Sequence, residues 1–581
     1  MELGPPIWHW ENPTPSGWAV YGLWGTSATD VYGVGAYGNL LHWDGTSWQE
    51  ARVGDEGDHR SIWGSSDTDV FVVSDRQPEI IHFDGESWGS TASPTALPLY
   101  AVWGSSSHDV YAAGGRYWNN RQGVLLHYDG SEWTVLRDDL GESLAALWGS
   151  GPEDVFVGGQ NGILLHYDGA TYTPIPGATG DITAITGTAD DVLVFTADGQ
   201  WYTYDRESGQ LVETGQVPGA QAAWGTLSDL YVAGGATGIH HYDGQTWTTE
   251  VLPSGAETFA FYSVWGSEDG VLFVGGDGAA GWDSAGVLRH VGDEWVNDSA
   301  LLTPEEFYDV WALSRDLAYA VGNGGTLAQW DGEAWSLLDL STTTSLYGVW
   351  AADEDDVYVS SRSDTLYHFD GASWTETTIP GANDLRPLRG SSSTNVYVGG
   401  GSWGSAELYR FDGTTWEPQT VPSTISYVTG IWIDPVTASA VLAGRATENG
   451  TGVFVRGTDE TEWTQLSTPL MGAARTVGGT SLEDLYAVTD SEVFHYDGEQ
   501  WTLVATSPTN DYFTGLWARA TDDVWAVGYD SVIMHFDGNA WDVVQNRDSG
   551  WELMAVHGSS ATDVLVVGES GTILRYGPLA R

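Results

Sequence analysis

The stretch from Tyr100 to Leu136 decides the fold: YAVWGSSSHDVYAAGG runs from Tyr100 to Gly115, and GVLLHYDGSEWTVL from Gly123 to Leu136. Four short β signals lie in it. The first is the apolar run into Trp103-Gly104, the second Asp109-Val110-Tyr111, the third Leu125 to Tyr128, and the fourth opens at Trp133. A Ser-Ser-x-x-Asp turn, a glycine-containing loop and the Asp129-Gly130 pair separate them. Asp, Ser and Gly at such points set tight turns, and Asp-Gly between alternating runs marks a hairpin. The unit therefore predicts four antiparallel strands.

Working outward, the same unit recurs along the whole chain. Its Trp-Gly pair stands at Trp24, Trp63, Trp103, Trp148, Trp224 and Trp265. The pair becomes Trp-Ala at Trp311, Trp350 and Trp517 and Trp-Ile at Trp432, and the slot holds Thr186, Arg389, Gly478 and His557 in the other copies. Fourteen four-stranded units in tandem predict an all-β fold, a β-propeller of fourteen blades. A β-solenoid is the competing architecture, but its repeats are usually shorter and lack four hairpin-connected strands. The last copy stops before its fourth strand. Trp8 precedes Trp18 by the same interval that separates Trp541 from Trp551. Residues Pro6 to Glu11 are thus expected to supply the missing outer strand, which covers an otherwise bare edge. Copies three and ten share a lengthened loop, and copies five and twelve both lose the Trp. That seven-copy period favours two rings of seven, with one ring of fourteen as the alternative. The expected organisation is residues 1–17 as the closing strand, 18–302 as the first propeller and 303–581 as the second.

Two stretches carry a family resemblance. "DVYAAGG…HYDGSEW" in copy three and "DLYVAGGATGIHHYDGQTW" in copy six resemble kelch repeats, in which an apolar strand ends in Gly-Gly and is followed by Tyr-Asp and Trp. Asp-box propellers place Asp and Gly before a Trp; here the two are adjacent, as in Asp44-Gly45 before Trp48. Overall the unit is most similar to secreted bacterial repeats of the WGSSxxDVYAVG…HYDGxxW kind. The resemblance implies the fold and says little of activity, because propellers host lectins, hydrolases, lyases and scaffolds.

Composition narrows the function. Twenty arginines and no lysine face 80 acidic residues, a formal charge of −60. Nucleic acid and anionic membrane surfaces are therefore disfavoured as partners. Lacking lysine, the chain has no Schiff-base lysine and no Gly-Lys phosphate loop. Lacking cysteine, it has no disulfide, thiolate nucleophile or Cys-ligated metal. No apolar run approaches the roughly 18 residues of a membrane span. An extracellular or cell-surface location is expected, with a secretion or lipoprotein signal already removed.

The chemical motifs mostly have structural readings. Gly33-Val34-Gly35-Ala36-Tyr37-Gly38 matches a dinucleotide fingerprint, but it joins two strands and opens no helix. A histidine precedes the Asp-Gly turn at His42, His82, His127, His166, His241, His368, His495 and His535, each in a different blade. These are read as structural donors to buried carbonyls. The Asp of Asp-Val-Tyr and the Asp of Asp-Gly are read as turn residues. Asp353 and Asp355 are weak calcium candidates, so no cofactor is expected and calcium is left open. Ligand-binding candidates are the inserted-loop residues Tyr117, Trp118, Asn119, Asn120, Trp282, Asp283 and Trp403, where exposed aromatics beside Asn and Asp suit a sugar or a protein surface. Arg60, Arg386, Arg389 and Arg475 lie near inner strands, but the sequence does not show that they converge. No catalytic residue stands out. The expected function is a non-catalytic secreted or surface propeller that binds a protein or glycan ligand through one loop face. A glycan-binding lectin and a propeller hydrolase or lyase are the alternatives.

Overall fold

Each repeat folds into four antiparallel strands. In blade three these are Leu99–Ser106, Asp109–Arg116, Gln122–Tyr128 and Trp133–Leu140, with Trp103 opposite Tyr111, Tyr111 opposite His127 and Tyr128 opposite Trp133. The structure, a computed structural model, describes the chain except residues 1–6, 13–15, 55–56, 77–78, 119–120, 268–269, 279–280, 293, 300–302, 304, 403, 447–451, 459, 467–473, 546–551 and 578–581. The described residues form fourteen four-stranded sheets. The last takes its outer strand from the other end of the chain: Ile7–Asn12 pairs antiparallel with Ile573–Gly577, and Trp8 lies opposite Tyr576.

The sheets form two seven-bladed rings, and the single ring of fourteen is set aside. The chain divides into two compact units, Pro13–Leu301 and Met1–Asn12 with Leu302–Arg581. Within the first unit, Val20, Leu41 and Trp43 of blade one share a core with Phe273 and Val287 of blade seven. Within the second, Phe307, Val310 and Ala328 of blade eight share one with Leu565 and Ile573 of blade fourteen. Each blade buries the small apolar residues of its second strand, such as Val110, Ala112 and Ala113, against both neighbours. The described residues contain no helix long and apolar enough to cross a membrane.

The Trp-Gly pair is the contact between blades. The indole of one blade lies on the glycine of the next: Trp24 on Gly64, Trp63 on Gly104, Trp103 on Gly149 and Trp224 on Gly266. Trp265 of blade seven returns onto Gly25 of blade one, which closes the first ring. In the second ring Trp350 covers Gly390 and Trp517 covers Gly558. A methyl group at Gly104 would stand 2.7 Å from the Trp63 ring, too close for any side chain. Where the receiving residue is larger, the covering slot has changed too. Ala312 follows His557, Ile433 follows Arg389, and Ala518 follows Gly478. Ala351 follows a tryptophan, Trp311, whose ring stacks on His557 at 4.0 Å.

A second contact ties each blade together internally. The eight motif histidines place Nε2 2.6 to 2.8 Å from the Oδ1 of their blade's Asp30, Asp69, Asp109, Asp154, Asp229, Asp356, Asp484 or Asp523. The acceptor is thus a carboxylate, not the carbonyl the sequence suggested. The other carboxylate oxygen takes the hydroxyl of the Trp-Gly-Ser/Thr segment, as from Ser105 to Asp109 at 2.5 Å. The pair changes together. Arg575 bonds Asp563 at 2.7 Å, Arg410 bonds Asn395 at 2.7 Å, and Gln329 accompanies Leu317 in the aspartate slot.

At Asp154 and Asp523 such hydrogen bonds hold the carboxylate below its ordinary range. Burial would raise Asp154, but hydrogen bonds from Arg206, Ser150 and His166 outweigh it and bring it to about 2. Asp523 is lowered in the same way, burial being outweighed by His535 and Arg519. In the exposed Asp-Gly turns, Asp44 and Asp129 fall to about 2, first through the side chains of Thr46 and Ser131 and then through backbone N–H groups. A carboxylate whose folded pKa lies below the unfolded value of about 3.9 stabilises the fold above that value and loses its effect as pH falls through the folded one. The melting temperature should therefore be level above about pH 5 and drop between about pH 4 and 2. A melting curve unchanged down to pH 2 would contradict this. Gly104→Ala should cost about 1–3 kcal/mol, read as a lower melting temperature. Gly478→Ala, whose methyl meets nothing closer than 3.7 Å, should leave it unchanged.

Candidate functional site

In most blades the residue three places before the Trp slot occupies a bulge; Gln221, Arg386 and Arg475 instead lie just ahead of their strands. In strand one the pairing skips Tyr21, Arg60, Tyr100 and Tyr262 of the first ring, and Tyr308, Tyr347, Thr514 and Met554 of the second. A bulge re-aims its side chain, and here the aim is the mouth of the central channel. In the second ring all seven residues at this position, Tyr308, Tyr347, Arg386, Thr429, Arg475, Thr514 and Met554, line one cavity of about 720 Å³. Arg362 and Arg445, at the ends of second strands, and Asp384, in a connection between blades, complete its wall. The cavity therefore opens on the face that carries the blade connections and the loops between strands two and three.

Its lining is positive in a strongly negative chain. Four arginines (362, 386, 445 and 475) line it with one carboxylate, Asp384, and Asp490 outside the lining pairs with Arg475. Arg386 forks onto Asp384 through Nε at 2.9 Å and Nη2 at 3.0 Å, and its guanidinium lies over Tyr347, 4.4 Å from the ring centre. Tyr347 in turn stacks on Tyr308 at 4.4 Å with the rings parallel to 1°. Arg475 reaches Asp490 at 3.2 Å and lies over Tyr512 at 4.5 Å. Arg362 is 59% exposed, and its Nε stays 3.9 Å from Asp384. Burial pushes the Tyr308 and Tyr427 phenols well up, for Tyr427 against an opposing pull from Arg386. Both remain protonated hydrogen-bond donors at neutral pH. Guanidinium forks beside phenol donors are suited to holding a carboxylate.

The first ring repeats the geometry with a different charge. Tyr21, Arg60, Tyr100, Gln221 and Tyr262 line a mouth of about 570 Å³ together with Tyr37, Asp58 and Arg76. Arg60 is held by Asp58 at 2.9 Å and Asp75 at 2.7 Å, so its two carboxylate partners cancel the charge of Arg60 and Arg76.

Of the residues singled out from the sequence, Arg386 and Arg475 converge at the second mouth, and both also line, with Arg389 held on Asp309, a smaller cavity of about 190 Å³ in that ring's channel. Arg60 belongs to the first ring's mouth. Tyr117 packs edge-on against the mouth residue Tyr100 at 5.1 Å, and Trp118 beside it is 80% exposed. Trp282 and Asp283 fall in the strand Gly281–Val291, their side chains outside the described residues, as are Asn119, Asn120 and Trp403 entirely. Asp353 and Asp355 are exposed, the Asp355 N–H donating to Asp353 at 3.0 Å. Among the described residues, the carboxylates gathered closely enough to share an ion are Glu306, Glu552 and Glu569, not these two. Sequence reasoning missed the mouth itself, although its signal was present: eight of the fourteen positions three before the Trp slot are Tyr or Arg.

Among solved structures, the chain is similar to PorZ, an essential bacterial surface component of the type-IX secretion system of Porphyromonas gingivalis, with a TM-score of 0.57 and 13% identity over 98% of this chain and 87% of that one. It is also similar to the extracellular domain of the one-component system BT4673 from B. thetaiotaomicron (TM-score 0.42, 11% identity, 99% and 83% covered) and to YCF48 bound to D1 peptide (0.40, 18%, 47% and 94%). These likenesses concern the fold alone. No protein-family model matches the sequence, and no curated protein matches it.

Proposed function

We propose that the chain is a non-catalytic, secreted or cell-surface binding propeller that holds a macromolecule by a carboxylate-bearing segment at the channel mouth of its second ring. The observation that carries this reading is the concentration of Arg362, Arg386, Arg445 and Arg475 with Tyr308, Tyr347 and Tyr427 around one cavity. A charge of −60 repels extended polyanions at long range. A narrow tail bearing a few carboxylates brings little charge of its own and enters a cavity whose size is typical of ligand sites. There the Arg362 and Arg445 guanidiniums meet it bidentately beside the half-buried phenols. The exposed Trp118 favours a second reading, a glycan stacked on its ring beside the first ring's mouth.

A fluorescein-labelled oligoglutamate peptide, followed by anisotropy, tests the first reading. Binding should weaken with salt, and the double variant Arg362→Gln/Arg445→Gln should lose about tenfold or more in affinity, about 1.4 kcal/mol. The peptide should be recovered uncut. Trp118→Ala should bind as the parent does. Absence of binding, or binding indifferent to both arginines, would contradict the proposal, and glycan binding that fails in Trp118→Ala would favour the second reading.

A further inference from the structure

The mouth of the first ring has its charges engaged by the protein itself. Arg60 is held by Asp58 and Asp75, and its guanidinium lies over Tyr21, 4.4 Å from the ring centre. The other carboxylate oxygen of Asp58 accepts the Tyr37 N–H at 3.2 Å. Arg76 lies over the face of Tyr37, 5.3 Å from its centre. Tyr262 donates its hydroxyl to Asp277 at 2.8 Å. The lining groups left over are neutral. They are the Tyr21 and Tyr100 hydroxyls and the Gln221 side-chain amide, which make no hydrogen bond among the described residues. Burial pushes both phenols up, Tyr100 to about 12, so they keep their protons at neutral pH.

These groups select a guest by their chemistry. A hydroxyl and a carboxamide each donate and accept, so they match the hydroxyls of a sugar ring. An apolar guest in the cavity of about 570 Å³ would bury them without partners, which is costly. An anion would meet Arg60 already occupied by two carboxylates, and the chain's charge of −60 repels it at long range. The aromatic surface continues outward from the same mouth. Tyr100 carries Tyr117 edge-on at 5.1 Å, and the next residue, Trp118, is 80% exposed. A sugar ring has a face of C–H groups beside its hydroxyls, and a flat indole left in water suits that face. We propose that the first ring's mouth binds an uncharged saccharide, one sugar ring hydrogen-bonded by Tyr21, Tyr100 and Gln221 and a further one laid on Trp118. This rests on the glycan reading of Trp118 given above and supplies it with a pocket and a charge class. The two mouths then divide their ligands, hydroxyls at the first and carboxylates at the second.

The test is an array of uncharged and acidic oligosaccharides probed with the full chain, followed by titration calorimetry with the uncharged one that gives the strongest signal. Binding should be indifferent to salt and to Arg362→Gln/Arg445→Gln. It should weaken about tenfold in each of Tyr100→Phe, which removes only the hydroxyl, Gln221→Ala and Trp118→Ala. An unchanged melting temperature shows that these variants are folded. Binding confined to acidic oligosaccharides, or binding that survives both Tyr100→Phe and Gln221→Ala, would overturn the inference. Dependence on Trp118 alone would then leave the glycan reading standing without this pocket. A blank array would overturn both.

Discussion

An indole laid over the Cα of a glycine on the next sheet is the contact on which the first ring depends and which the second keeps at Gly390 and Gly558. A tryptophan ring is large, flat and rigid, and it removes much apolar area from water with few torsions to fix. It reaches the neighbouring backbone only if the residue beneath has no Cβ, which is why the repeat carries Trp and Gly as a pair. The direction is constant wherever the pair is kept: the indole covers the blade that follows, and blade seven covers blade one. A propeller blade contacts only its neighbours, so repeating one interface and closing it removes the exposed ends that an open stack would leave. In the second ring a main-chain strand does part of this work, since Ile7–Asn12 completes the sheet of the last blade.

The sequence made the architecture legible because each strand and turn leaves a local mark, and the mark repeats. The closing strand was readable from the interval between Trp8 and Trp18. The number of rings was only suggested, because a seven-copy period does not say where a blade meets its neighbour in space. The coupled changes were likewise present but unread. Ala312, Ile433 and Ala518 depart from glycine where the covering residue departs from tryptophan, and Leu317 appears with Gln329. The histidines were rightly taken as structural, but their partner was mistaken. Asp and His lie some twelve residues apart in most blades, and only strand pairing shows that they touch.

The candidate site was less visible for a physical reason. Inserted loops draw the eye because they break the repeat, whereas the mouth is built from a position inside it. Tyr347 and Arg386 reach the channel because bulges and connections turn them inward, and no composition rule reports where a bulge points. The difference between the two mouths is finer still. Both hold tyrosine and arginine, yet Asp58 and Asp75 neutralise the two arginines of the first, while four arginines meet Asp384 and Asp490 in the second. One scaffold thus carries two mouths of similar shape and different charge.

The account stands most directly on the closure of the first ring through Trp265 and Gly25. The measurement that tests it is expression of residues 13–301 alone, followed by circular dichroism and thermal melting. If seven blades close upon themselves, the fragment is a monomer with β-sheet ellipticity and a cooperative melt. A fragment that is unfolded, or that becomes ordered only when the remaining chain is added, would contradict the account.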